Sequence, residues 1–467
     1  MLFSDPVFFA FFAIYFVFHF GVAPRLRVYL IILGSTVFYA YWRVEYIWLP
    51  YLLTIITWTG ARWMGAATGI RERRLRLSVT LVALFLPLAG FKYAHFFVSD
   101  VIGAVPSAAS GLGNVAWLKV ALPLAISFVT FTLTAYLVDL YRNHCIVEKG
   151  VATLLAYVLF FPHLIAGPIL RPRELMPQLK MPRAARDARF VLGAALFALG
   201  LVKKLVFADS IAGVVDDVYA RGAAPTRLEY LLAIYGYSMQ IYCDFSGYTD
   251  MAIGLAYLLG VRLPRNFMRP YSAHSIVEFW RRWHITLSFW LRDYLYIPLG
   301  GNRHGRYRQL VNVMITMVLG GLWHGANWTF LIWGFLHGGA LAAVHGLSSA
   351  VGGFVIPRWI SILLTFNFVS LAWVFFCSPD LGTAHRVLAG PILADTGDVA
   401  GFASRYAFEL LLLTLFFATH WLDQHARVRL LVRDRNRGMV LALVALAFLV
   451  AVTVSQGSTA KFIYFDF

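Results

Sequence analysis

Charge is scarce in this chain: Asp, Glu, Lys and Arg make up 13% of its 467 residues, about half of the ~25% usual in a soluble domain. A water-soluble chain of this length needs many more polar side chains to cover its surface, so a soluble globular protein is excluded. Acidic residues are scarcer still, 23 against 40 Lys and Arg, which leaves a net charge of +17. Cysteine is nearly absent: Cys145, Cys243 and Cys377 show neither CxxC nor metal-type spacing and read as small packing residues. There is no GxSxG elbow, no phosphate-binding P-loop, no HExxH and no dinucleotide fingerprint after a strand. Histidines without a supporting Asp, Glu or Cys cluster argue against zinc, so no metal is expected. Nothing reads as a base-stacking platform or a groove-reading helix, which excludes nucleic acid as a partner. The opening MLFSDPVFFAFFAIYFVF has neither a basic leader nor a small-residue cleavage site, so a retained first span is expected.

What is present in abundance is apolar sequence. Hydrophobic residues make up 60% of the chain, the mean hydropathy is +0.70, and long apolar runs recur from end to end. A helix needs ~20 mostly apolar residues to cross a bilayer. Spans are expected near 6–22, 28–44, 46–61, 77–95, 117–139, 190–209, 228–259, 309–323, 327–348, 359–377, 404–422 and 439–456. The stretch 228–259 is too long for one ordinary span and reads as a tilted helix or as two pieces. Basic residues cluster at Arg25 and Arg27, Arg71 to Arg74, Arg142 to Arg189, Arg262 to Arg308 and Arg427 to Arg437. The weakly charged loops 96–116, 210–227 and 378–403 fall on the other side. The positive-inside rule makes the basic side cytoplasmic and places both termini outside. The expected fold is all-α and integral to the membrane, one polytopic domain over 1–467 with about 11–13 transmembrane helices.

Two segments depart from simple spans. Leu154 to Leu170 is apolar but interrupted by Pro162, Gly167 and Pro168. Proline removes a backbone hydrogen bond, and broken backbone at membrane depth survives only inside protein, so a re-entrant segment is expected, with a kinked span as the alternative. In Ile276 to Tyr294, the residues Ile276, Phe279, Trp280, Trp283, Leu287, Trp290, Leu291 and Tyr294 recur at helical spacing. Glu278, Arg281, Arg282 and Arg292 lie opposite, the pattern of an interfacial amphipathic helix, although Ile285 and Phe289 interrupt its polar face.

Ionisable groups among apolar spans are functional candidates. His324, in LGGLWHGANW, is surrounded by Gly320, Gly321 and Gly325, which permit close approach of another backbone or of a substrate. Trp323 and Trp328 wall it, and Asn327 is placed to orient it. Imidazole titrates near neutrality, so it can take a proton from a hydroxyl and return it. His284 follows Trp283 at the edge of the amphipathic helix and reads equally as a site residue or an interfacial histidine. Asp244, Ser246, Tyr248 and Asp250 place polar groups in an apolar stretch, where they either line a pathway or satisfy one another.

These residues resemble the membrane-bound O-acyltransferase family, in its bacterial glycan O-acetyltransferase branch. The matching stretches include LPLAISFVTFTLTAYLVDLYR (122–142), FFPHLIAGPILRPREL (160–175), GLVKKLVFAD (200–209) and DFSGYTDMAIGLAYLLGVRLPRNFMRPY (244–271). SIVEFWRRWHITLSFWLRDYLYIPLGGNR (275–303), GGLWHGANWTFLIWGFLHG (320–338) and the terminal FIYFDF complete the set. The resemblance implies a helical enzyme built around a central funnel. It would pass an acetyl group from a cytoplasmic thioester, acetyl-CoA, to a hydroxyl at or beyond the outer face of a bacterial inner membrane. The implied acceptor is an exported glycan, alginate before peptidoglycan, cellulose or teichoic acid. Implied partners are the lipid bilayer, a periplasmic acetyl-accepting or acetyltransferase protein and a polysaccharide export complex. By the same resemblance His324 is the catalytic histidine and His284 the second implicated position. Leu133 and Arg265 depart from the family pattern, which bears on donor or acceptor detail. A transporter, which also uses broken helices, and a noncatalytic scaffold for an export complex are the rival classes; no matching pair of interrupted segments supports the first.

Overall fold

The computed structural model describes residues 1–102, 121–181, 189–220, 225–347, 356–455 and 462–463, which are helical without a strand among them. Each expected span carries a helix. Four of these are long and apolar enough to cross a membrane: Ile70–Ile102, Phe190–Ala220, Arg358–Cys377 and Arg437–Ser455. Val399–Arg405 and Ala407–Leu422, bent by 76° at their junction, make a fifth if taken as one span, and Pro6–Gly21 and Ile126–Tyr141 are apolar but shorter. The outward faces are themselves apolar: Leu446 and Leu449 on the last helix are 57% and 62% exposed. Such surface is expensive in water and inexpensive in lipid, and the protein is a multi-pass membrane protein. Most of loop 96–116, the start of 117–139, part of 210–227 and the end of FIYFDF lie outside the described residues.

The fold divides into two compact units, Met1–Gly193 with Ala252–Pro264, and Ala194–Met251 with Arg265–Asp466. In the first, Leu154 to Leu170 is broken as its prolines predict. Val151–Leu159 and Phe161–Leu164 are separate short helices, with Phe160 at ψ 99° between them. The freed backbone groups find partners inside the protein. Phe161 N–H donates to Ser35 Oγ at 3.1 Å, Tyr157 O–H donates to the Leu170 carbonyl at 2.7 Å, and His163 Nε2 meets the Tyr157 carbonyl at 2.8 Å. Phe160, Phe161, Leu164 and Leu170 are buried, which is the condition for broken backbone at membrane depth.

In the second unit, Gly305–His324 and Trp328–Leu347 form an antiparallel pair. Gly321 makes their approach possible, because a Cβ there would strike the carbonyl oxygen of Phe330. The long stretch 228–259 resolves as one unbroken helix, Arg227–Leu258, of 32 residues.

Candidate functional site

The expected amphipathic helix is not continuous. It breaks into Ile276–Arg282 and Ile285–Leu291, with Trp283 extended and His284 left-handed at φ 40°, ψ 55°. A non-glycine residue held there costs on the order of 1–3 kcal/mol and persists only where the surroundings over-determine it. Here they do. Ser275 caps the first helix through Glu278 N–H at 3.2 Å. At the start of the second, Asn266 takes two orphan N–H groups, Ile285 on its carbonyl at 2.9 Å and Thr286 on its side chain at 3.1 Å. The third, Leu287 N–H, donates to His284 Nδ1 at 3.4 Å. His284 thus sits at a helix break as a cap, not along a helix face.

That hydrogen bond fixes the tautomer. Nδ1 accepts, so the neutral imidazole carries its proton on Nε2. Burial drives the group well below its ordinary value, to about 3, and keeps it neutral. The ring is fully buried, and Nε2 has no hydrogen-bond partner among the described residues. Phe245 and Phe267 flank it at 4.7 and 6.4 Å between ring centres. Trp323 completes the cage at 6.5 Å. A buried donor without an acceptor is rare in proteins and suits a group that a ligand completes.

His324 ends the Gly305–His324 helix, and Gly325 leaves it in extended geometry at φ −158°. Trp323, which also contacts His284, lies 4.9 Å from His324. Trp333 at 5.3 Å and Phe376 at 5.1 Å form the other walls. The glycines around His324 are filled by the protein's own atoms: Gly321 faces Phe330 and Gly334, Gly325 faces the Phe330 ring, and Gly320 faces Leu291. Of the two uses expected for them, close approach of another backbone is observed at Gly321, while side chains fill the space at Gly320 and Gly325. Trp283 stacks on Phe279 at 5.6 Å and leans on Trp373 at 4.9 Å.

The other expected site residues lie elsewhere. Asn327 does not orient His324: its amide nitrogen donates to the Pro379 carbonyl at 2.7 Å, and its oxygen accepts Thr329 N–H at 3.1 Å, a helix cap. Asp244 pairs with Lys204 at 2.8 Å and accepts Ile463 N–H at 2.8 Å. Ser246 is buried with its hydroxyl unpartnered among the described residues, and Tyr248 stacks on Phe462 at 4.6 Å. Asp250 binds Lys203 at 2.7 Å and His425 at 2.6 Å. These four therefore do not converge on one another; the two acids belong to ion pairs with a lysine doublet. Lys203 also reaches Asp423 at 2.6 Å, and Lys204 reaches Asp209 at 2.8 Å.

Reading the sequence missed His337. It is fully buried, with Trp333 at 4.7 Å, and its Nδ1 accepts the Trp280 indole N–H at 3.3 Å. Like His284 it therefore holds its proton on Nε2, which has no partner among the described residues. A second histidine inside GGLWHGANWTFLIWGFLHG was the available signal. The Lys203–Lys204 doublet within an apolar helix was a second. No group of residues that could hold a metal ion occurs among the described residues.

Comparison with known proteins places this site in context. Residues 146–380 match the membrane-bound O-acyltransferase family, MBOAT. The chain is 41% identical over 395 residues to the protein named "Probable alginate O-acetylase AlgI" of Azotobacter vinelandii, covering 83% of this chain and 77% of that one. It is 37% identical to a peptidoglycan O-acetyltransferase of Helicobacter pylori, over 84% of this chain and 80% of the relative. A teichoic acid D-alanyltransferase of Bacillus subtilis is 28% identical, over 56% of this chain and 70% of its own.

Proposed function

The chain belongs to the membrane-bound O-acyltransferase family and is an O-acyltransferase; from that premise we propose that its two caged histidines carry the transfer of an acetyl group from a cytoplasmic thioester to a hydroxyl. The donor is acetyl-CoA, the setting a bacterial inner membrane, and the product an O-acetylated exported polysaccharide, alginate, reached through a periplasmic partner protein. The observation that carries this reading is that two buried imidazoles both pack against Trp323.

A hydroxyl holds its proton far above neutral pH and attacks a thioester slowly. His324 takes that proton as the oxygen bonds to the carbonyl carbon; the carbon–sulfur bond then breaks, and the imidazolium returns the proton to the departing thiolate. A positioned base of this kind contributes ~10²–10⁴-fold. His284, locked as the Nε2–H tautomer by Leu287, donates to the carbonyl oxygen as negative charge develops on it. Because the His284 donor is neutral and preoriented, it needs no reorganisation when that charge appears. Trp323 and Trp283 hold the imidazoles in place and keep water away. Asp244, Ser246 and Tyr248 belong to the helix that supports His284 through Phe245.

The test is the acetyl content of exported glycan from cells whose only copy carries His324→Ala. Acetylation near the parental level, with the variant present in the membrane at normal abundance, would sink the assignment. Peptidoglycan is the second acceptor to assay, because the Helicobacter pylori relative covers as much of the chain as the alginate one. Acetate on peptidoglycan and none on alginate would move the acceptor and leave the histidines in place.

A further inference from the structure

Where the Phe190–Val202 helix meets Ala407–Leu422, an apolar slot of about 220 Å³ lies beside the ion network of Lys203 and Asp423. Leu199, Val202, Phe207 and Phe416 wall it, and Leu422 and Val428 complete it. Its volume falls below the ~300–1,000 Å³ typical of sites for compact small molecules. Thr419 and Leu422, which also line it, are exposed, so the slot opens on the outer surface. Its charged members answer one another: Lys203 pairs with Asp423 at 2.6 Å, and the Tyr242 hydroxyl donates to Asp423.

The edge of the slot is different, because its charge is unanswered. Gln424 lines the slot, and with its amide oxygen turned toward Arg269 it accepts from that guanidinium at 2.9 and 3.2 Å. Arg269 also donates to the Trp421 carbonyl at 3.4 Å, and Arg427 lies over the Trp421 ring at 4.5 Å. Two guanidinium groups thus converge on one residue, and neither has a carboxylate partner among the described residues. Glu278, the acid that acts on Arg269, is already held by Arg282 and His274. The charges of Arg282 and Arg427 act on Arg269 as well, a repulsion that a bound anion relieves. A guanidinium fork matches a phosphate in two hydrogen bonds.

The surroundings say where that phosphate comes from. The helix His425–Asp434 has no buried residue, and it exposes Leu430 and Leu431 beside Arg427, Arg429 and Arg433, the composition of a helix lying in a membrane interface. Trp421 is 53% exposed, and tryptophan favours headgroup depth. The stretch Arg427 to Arg437 falls on the side that the positive-inside rule makes cytoplasmic, where the leaflet carries anionic lipids and basic pockets between spans bind their headgroups.

We infer that the slot and its two arginines form a site for one anionic phospholipid of the cytoplasmic leaflet, its phosphate between Arg269 and Arg427 and an acyl chain along Leu199, Val202 and Phe416. The lipid would also brace the break at His284. The Arg269 carbonyl accepts from the Arg282 guanidinium at 3.3 Å, and Arg282 ends the helix just before Trp283 and His284. The site stands whichever residue acts as the base, and its occupancy is measured without turnover.

Full-length protein in detergent is titrated with phosphatidylglycerol, with phosphatidylcholine of the same acyl chains and with glycerol 3-phosphate, and bound molecules are counted by native mass spectrometry. One phosphatidylglycerol is expected to bind, with phosphatidylcholine and glycerol 3-phosphate each about tenfold weaker, the first lacking net charge and the second lacking chains. Arg269→Gln/Arg427→Gln brings phosphatidylglycerol down to the phosphatidylcholine level. Arg427→Gln alone, at an exposed position that folding tolerates, costs about threefold. Leu199→Trp fills the slot and weakens both lipids alike. Arg435→Gln/Arg437→Gln removes the same charge from exposed positions further along and leaves phosphatidylglycerol affinity at the parental value. Unchanged affinity in the Arg269/Arg427 variant overturns the site. So does equal loss in the two glutamine pairs, which makes the attraction a diffuse surface charge. Glycerol 3-phosphate binding as tightly as phosphatidylglycerol, with Leu199→Trp without effect, overturns it in favour of a soluble phosphate.

Discussion

Two polar regions are buried in the same unit of this protein, and they are built on opposite terms. Around Lys203 and Lys204 each ammonium is bracketed by two carboxylates, Asp250 and Asp423 for one and Asp209 and Asp244 for the other. Around the histidines, four buried N–H groups are left over among the described residues: His284 Nε2, His337 Nε2, Trp333 Nε1 and Trp373 Nε1. Burying a polar group without a partner costs on the order of 1–3 kcal/mol. A satisfied ion network holds structure; a cage of unsatisfied donors is stable only if something occupies it or if the fold tolerates the cost for the sake of a ligand. The contrast therefore supports the proposed division into scaffold and site on physical grounds alone.

The largest effect should come from the scaffold. Lys203→Met leaves Asp423 and Asp250 facing each other without their shared cation, and removing one member of a buried ion network typically costs about 3–5 kcal/mol. Thermal unfolding in one detergent should fall steeply for this variant, while acyl transfer per folded molecule stays at the parental value. Adding Asp423→Asn should recover part of the stability, as expected for partners in contact. A Lys203→Met protein that is fully stable but inactive would erase the distinction between the regions.

His284→Asn probes the site side of the comparison. Asparagine tolerates the left-handed backbone and can accept Leu287 N–H, so stability should stay within about 1 kcal/mol of the parent. What is lost is the imidazole donor, for which kcat should drop by about 10²–10³-fold. His284→Ala loses both the cap and the donor, and should fall in stability as well. Normal kcat in the asparagine variant would return His284 to a purely structural role.

Gly321→Ala lies between the two classes. The added methyl strikes the Phe330 carbonyl oxygen, so the two helices must separate at a cost of about 1–3 kcal/mol. Since Gly321 is one turn before His324, melting temperature and kcat should fall together, unlike either variant above.

Much of this was legible from residue types alone, and the reasons are local. Scarce charge and apolar runs identify the membrane class, and Pro162 and Pro168 announce a broken segment, because each acts on its own backbone. The break at His284 is different. The spacing of Ile276, Trp280, Trp283, Leu287 and Leu291 reads as one helix, and the apolar spacing passes through a left-handed residue without a trace. The capping that over-determines it comes from Asn266, which lies outside the helical pattern. The lysine doublet was visible but its partners were not: Asp250 is 47 residues away and Asp423 is 220. His324 was found from its glycines, though for a reason only half right, since they admit a helix.

Asn327 gives the smallest expected effect and the sharpest reversal of a sequence-based reading. Three residues from His324, it looks like the group that would fix the imidazole. Its oxygen instead caps the following helix at Thr329, and its nitrogen ties that cap to Pro379. Asn327→Ala should therefore cost about 1 kcal/mol of stability, the usual value of a lost cap, and leave kcat unchanged. Asn327→Asp keeps the cap acceptor and should recover most of that loss. If Asn327→Ala lowers kcat by tenfold or more at unchanged melting temperature, the residue orients the base after all, and the cage extends beyond the aromatic walls that Trp323, Trp333 and Phe376 provide.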